Sequence, residues 1–136
     1  MKGSITPERI WWDLQHYHLD IEVDPVTQTI TGTNTVRYEV IGNQDRLQID
    51  LQAPMLLEKA IQKGIELKIE KEGSAHFITL ASPQKKSENN ELILHFSGKP
   101  VVAVRPPWDG GLTWKKDSNG LPFIANSNQG IGSSIW

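Results

Sequence analysis

The run Tyr17-His18-Leu19-Asp20-Ile21-Glu22-Val23-Asp24-Pro25, continuing through Thr29-Ile30-Thr31-Gly32-Thr33-Asn34-Thr35-Val36-Arg37-Tyr38-Glu39-Val40, decides the fold. In its first part polar and apolar residues alternate. Tyr17, Leu19, Ile21 and Val23 point one way, and His16, His18, Asp20 and Glu22 the other. A period of two places successive side chains on opposite faces, so the pattern predicts a half-buried strand. Asp24-Pro25 ends it. The second part, rich in Thr and Val, sets Ile30, Val36, Tyr38 and Val40 on one face and Thr31, Thr33, Thr35, Arg37 and Glu39 on the other. The connection is short, which makes a long antiparallel hairpin the economical reading.

Working outward, residues 1 to 11 read as a lead-in, with Pro7 and Glu8-Arg9 before Trp11-Trp12. Beyond the hairpin, Leu47, Ile49 and Leu51 alternate again after a turn at Gly42 to Asp45. Met55 to Lys63 fits neither the helical nor the strand template; its neighbours favour a strand. Ile65, Leu67 and Ile69 alternate with charged residues, and Gly73-Ser74 turns the chain into Ala75 to Leu80. A polar loop over residues 81 to 90 precedes Leu92, Leu94 and Phe96, and Val101 to Val104 predict one more short strand. Eight or more strands at roughly ten-residue spacing, with almost no helical signal, predict an all-β antiparallel sandwich.

Length and composition agree. The 136 residues suit a single domain, so residues 1 to 136 are expected to form one β-sandwich. Hydrophobic residues make up 38% and charged residues 22%, which argues against disorder. Fourteen basic and sixteen acidic residues give a net charge of −2 with no basic stripe, so nucleic acid is not an expected partner. No run approaches a membrane span. Cysteine is absent, which removes disulfides, thiolate metal sites and cysteine nucleophiles. The sequence shows no signal peptide; an exported parent, periplasmic or secreted, would carry one upstream.

Few residues point to chemistry on their own. His16 and His18 share one strand face with Asp20 and Glu22, a spacing that could share a metal, or simply a solvated face. Gln129-Gly130-Ile131-Gly132 contains G-x-G, yet no strand–helix pattern frames it and no Gly-Lys-Ser/Thr is present, which argues against a phosphate loop. No serine lies in a G-x-S-x-G elbow and His-Glu-x-x-His is missing, so no catalytic residue and no metal ligand is assigned. Trp108, Trp114 and Trp136, three of the five tryptophans, fall in the last quarter beside Gly110, Gly111, Gly120, Gly130 and Gly132. They either line a ligand platform, as in a carbohydrate- or protein-binding module, or pack a hairpin onto the sandwich or a neighbouring domain.

Arg105-Pro106-Pro107-Trp108-Asp109-Gly110-Gly111, the turn at Asp117 to Gly120, and Asn128-Gln129-Gly130-Ile131-Gly132-Ser133-Ser134-Ile135-Trp136 together carry a resemblance. With Trp12 to Val23, Thr29 to Gly32 and Thr35-Val36, they resemble the N-terminal domain of the bacterial zinc aminopeptidases of peptidase family M1, over nearly the whole chain. The resemblance implies a saddle-shaped, non-catalytic β-sandwich that caps a separate thermolysin-like catalytic domain. That absent domain would be a partner, and zinc would be its cofactor rather than one of this chain. The resemblance also implies that Gln129, with Gly130 beside it, reaches the cleft near the free amino end of a bound peptide. Trp108, Trp114 and Trp136 are then expected to dock the catalytic domain. The family pattern continues past Trp136, so the resemblance implies a piece of a longer peptidase that by itself hydrolyses nothing.

Overall fold

In a computed structural model that describes residues 4–132 and 134–136, the opening alternation forms β1 (Trp12–Asp24) and β2 (Thr29–Val40). They pair antiparallel from Trp12↔Val40 to Asp24↔Thr29, with one bulge between Leu14 and His16. The Asp24 carboxylate closes the loop: it accepts from the amides of Val26 (2.8 Å) and Thr27 (3.3 Å) and from the Thr27 hydroxyl (2.6 Å). Aspartate is suited to this because its short acceptor reaches backbone donors two and three residues on. Those bonds also hold its carboxyl below the ordinary aspartate value, the Thr27 hydroxyl foremost.

Eight further strands follow: β3 (Arg46–Asp50), β4 (Leu56–Gln62), β5 (Ile65–Glu66), β6 (Lys68–Glu72), β7 (Ala75–Thr79), β8 (Asn89–Gly98), β9 (Gly111–Lys116) and β10 (Pro122–Ser127). A five-stranded sheet runs β1-β2-β8-β4-β5, a three-stranded sheet β3-β7-β6, and β9 and β10 form a separate hairpin. All strand pairs are antiparallel. No helix among the described residues is long and apolar enough to cross a membrane.

Two buried clusters hold the layers together. The first joins Val36, Tyr38, Val40, Leu92, Leu94 and Ala60 of the large sheet to Leu47, Ile49 and Ile78 of the small one. The second lies at the other end, where Ile30 and Phe96 meet Leu51, Met55, Leu112 and Ile135. Apolar burial of this kind contributes roughly 25 cal/mol per Å² and is the main force holding such layers. A polar seam is threaded through the first cluster: Gln62 donates to the Tyr38 hydroxyl (2.8 Å), which with the Asn90 amide reaches Gln84 Oε1 (3.3 and 2.9 Å). Burial raises the Tyr38 phenol above its ordinary value.

Several expectations change on contact with the coordinates. The residue 65–69 alternation is not one strand. The chain leaves the large sheet after Glu66 and enters the small sheet at Lys68, and the corner is pinned by buried Leu67, whose amide donates to the Ala60 carbonyl (2.8 Å). Val101–Val104 keeps only a single parallel bridge, Val102↔Leu112, made by the Ala103 amide donating to the Leu112 carbonyl (3.0 Å) and the Leu112 amide donating to the Val101 carbonyl (2.7 Å). The lead-in belongs to the core: Trp11 is buried and its indole donates to the Arg46 carbonyl (2.8 Å). Residues 6–9 cover β3, so Gln48 is buried where a strict alternation exposes it. Most tellingly, the apolar face of β1 is not covered: Leu19, Ile21 and Val23 are 43%, 45% and 36% exposed.

Candidate functional site

Two loops at one end of the molecule carry the residues singled out in the last quarter of the chain. The first runs from Val104 to Gly110. Asp109 organises it by accepting from the amides of Val104 (2.6 Å) and Arg105 (2.9 Å), while the Trp108 amide donates to the Arg105 carbonyl (2.9 Å). Hydrogen bonds to its charged form, that from Arg105 first, lower the Asp109 carboxyl. The second loop follows β10. The Ile131 and Gly132 amides both donate to the Asn128 carbonyl (3.2 and 3.0 Å), and Gly130 and Gly132 take φ of 72° and 62°. Such left-handed backbone costs little only for glycine.

The loops are packed on each other. Ser127 donates to the Pro107 carbonyl (3.0 Å), and Gly110 lies against Ile131 and the Gln129 carbonyl, where any side chain would collide. Ser134 then donates back to the Ile131 carbonyl (2.7 Å), and Ile135 is buried in the second core cluster. The consequence is a braced turn with Gln129 exposed on it. Gln129 and Gly130 are both exposed on this turn.

The three tryptophans separate. Trp136 is half-buried, its ring edge-on to Phe96 (5.0 Å) and Tyr17 (6.4 Å), and it bridges the two core clusters. Trp114 is half-buried against the second cluster. Trp108 is 81% exposed and projects from the first loop. His16 and His18 are exposed on β1 opposite Arg37 and Thr35. Among the described residues, no group of three or more His, Asp or Glu is gathered closely enough to hold a metal ion.

Beside the Gln129 turn lies a groove of about 450 Å³ whose walls include Trp12, Leu14, Tyr17 and Ile131 and whose polar side is Arg9 and Asp50. Arg9 and Asp50 form a partly buried ion pair, and the Gln48 amide donates to the second Asp50 oxygen (2.9 Å). Burial, then the Asp50 charge, raises the Tyr17 phenol. Sequence reasoning passed over this groove because its charges are 41 residues apart and become neighbours only through the layering of β3 on the lead-in.

No protein-family model matches the chain, and neither does any curated protein. Among solved structures, an M1 zinc metallopeptidase from Deinococcus radiodurans superposes with a TM-score of 0.63 over 90% of this chain and 30% of its own, at 21% identity. This is the N-terminal domain fold of the M1 zinc metallopeptidases. Leukotriene A4 hydrolase from Saccharomyces cerevisiae shares it with a TM-score of 0.68, over 91% of this chain and 20% of that one at 19% identity. A two-domain M1 zinc metallopeptidase bound to L-arginine matches 94% of this chain and 30% of its own, with a TM-score of 0.65 at 20% identity. At such identities the likeness is one of fold, and the chain spans less than a third of each of these M1 proteins.

Proposed function

We propose that this chain is the non-catalytic N-terminal domain of an M1-type zinc metalloaminopeptidase, walling one side of a peptide-binding cleft. The observation that carries the reading is the braced turn: an exposed Gln129 held on a loop that Gly110, Ile131 and Ser134 keep in place, on a chain with the M1 N-terminal fold. A neutral amide offers an acceptor to a substrate ammonium and donors to a carbonyl without adding charge to the cleft. Gly130, with no side chain, leaves the adjoining backbone approachable by the peptide. Related M1 structures hold an amino acid or the peptide Tyr-Ser-Ala, which fits a site that reads a free amino end. The zinc belongs to the catalytic domain; the described residues of this chain supply no donor set for it. Trp108, the exposed indole beside this turn, is the residue a neighbouring catalytic domain would cover, with Trp114 and Trp136 supporting the loops from within.

The test is Gln129→Ala in the full-length enzyme. KM for peptides should rise or kcat/KM fall while zinc content stays normal; unchanged kinetics remove Gln129 from the site. The chain alone should not turn over aminoacyl-arylamides in the presence of zinc, and activity surviving repurification would refute a non-catalytic role. The exposure of Trp108 also suits a second reading, a carbohydrate- or protein-binding module. Saturable quenching of tryptophan fluorescence by oligosaccharides, lost in Trp108→Ala, would favour it.

A further inference from the structure

β1 ends the five-stranded sheet, and among the described residues nothing pairs with its outer edge. An uncovered edge of this length is a template for another strand, and natural proteins ordinarily blunt such edges. The β1 edge has only part of such protection: the bulge between Leu14 and His16 interrupts its start and Asp20 and Glu22 put charge on one face, while residues 16–24 pair with β2 without a break. Leu19, Ile21 and Val23 remain exposed on one face, and His16, His18, Asp20 and Glu22 on the other.

The order of those side chains selects the occupant. In an antiparallel pair, directly opposite residues share a face. Two copies of β1 can therefore meet only in registers that place odd residues opposite odd and even opposite even. Centring on His18 sets that histidine against itself, and centring on Asp20 opposes two carboxylates. Centring on Leu19 gives His16 opposite Glu22, Tyr17 opposite Ile21, His18 opposite Asp20 and Leu19 opposite Leu19. That register creates four His–carboxylate pairs by symmetry on one face and a continuous apolar row on the other. Opposite-charge cross-strand pairs are stabilising and like charges directly opposite are not.

We infer that a second copy of this chain adds to the β1 edge, in an antiparallel two-fold arrangement centred on Leu19 over residues 16–22. The partner's Ile21 then lies beside Tyr17, at the mouth of the groove formed with Trp12, Leu14 and Ile131, so the groove is part of the same contact. The interface is isologous, as two-fold dimers require. The strands that pair, residues 16–22, lie on β1, and the contact meets the Gln129 turn only at Ile131 in the groove wall.

Sedimentation velocity on the 136-residue chain tests it. The wild type should dimerise in a concentration-dependent way by about 100 µM, the range of weak small interfaces. A variant carrying His16→Glu and His18→Glu, and a second carrying Asp20→Lys and Glu22→Lys, should each lose self-association roughly tenfold or more. Mixed together they should form a heterodimer, because the same register now opposes Glu to Lys and His to Asp or Glu. All four positions are exposed, so each variant should keep the fold, which circular dichroism checks. The chain has no cysteine, so Leu19→Cys should also oxidise to a single cross-linked dimer. A monomeric wild type overturns the inference and leaves the edge to a foreign strand. Dimers that survive in the separate variants, or a mixture that fails to recover, overturn the register.

Discussion

Gly110 and Ile131 touch so closely that a Cβ on Gly110 would lie 2.3 Å from Ile131 Cγ1 and 2.7 Å from the Gln129 carbonyl oxygen. The first contact could relax by a side-chain rotation; the second is with backbone and cannot. Gly110→Ala should therefore push the Gln129 turn away from the first loop, at a cost of about 1–3 kcal/mol in stability from overpacking. Urea denaturation measures that cost. In a full-length enzyme the same variant should impair peptide binding as Gln129→Ala does, because the amide is displaced rather than removed. A stable variant with an unmoved urea midpoint would show that the loops are not tightly joined.

Burial leaves both polar atoms of the Asn34 side chain without a partner among the described residues. Asn34 on β2 is wholly buried, opposite Leu19 and Leu94, and neither its oxygen nor its nitrogen has a hydrogen-bond partner among the described residues. An unsatisfied buried amide costs about 1–3 kcal/mol. Asn34→Leu, which keeps the branched heavy-atom skeleton with a somewhat bulkier side chain, should raise the melting temperature by several degrees, in the range of about 2–8 °C per kcal/mol for domains of this size. Calorimetry reads the effect directly. A lower melting temperature would mean that the amide is satisfied in solution.

The hairpin and the all-β architecture were legible because alternation is a local signal that the core faces of β2 and β8 obey, whereas the strand within residues 55–63 was placed only by its neighbours, since its own apolar residues fit neither template. What was not legible depends on layering. His76 on β7 reads like any strand residue, yet residues 75–78 are all buried. Leu67 belongs to a perfect alternation that nonetheless breaks, because a corner between two sheets is set by which core its side chain enters. The Gln129 segment was visible only through its resemblance to a family, since an exposed amide on a glycine turn has no periodicity to read. The bare apolar face of β1 was hidden for the opposite reason: its pattern is perfect, and the pattern says nothing about whether a second layer extends far enough to cover it.

The buried His76 makes stability depend on pH in a definite direction. Desolvation, with the nearby Lys71 charge, lowers its imidazole below the ordinary value of 6.5, and these outweigh the Ser74 backbone bond and Asp50, which act the other way. The unfolded chain thus takes up this proton at higher pH than the folded one. The contribution is whole above about 6.5, declines as pH falls towards the folded value, and is constant below it. Urea midpoints measured from pH 7.5 down to 5.5 should fall more steeply for the wild type than for His76→Leu. Parallel slopes would show that His76 is accessible to protons when folded.

The tryptophans of the last quarter should divide sharply when each is truncated. Trp136 packs edge-on to Phe96 and Tyr17 and touches both core clusters, so Trp136→Ala should cost about 2–4 kcal/mol, between a partial and a full loss of an aromatic core contact. Trp108 is 81% exposed, and its removal should change stability by less than about 0.5 kcal/mol, as surface substitutions do. Urea titration of the two variants beside the wild type makes the comparison, and iodide quenching should be reduced only in Trp108→Ala. A Trp108→Ala chain destabilised as much as Trp136→Ala would make that indole part of the fold rather than a surface for a neighbour, and would remove the structural basis for docking through it.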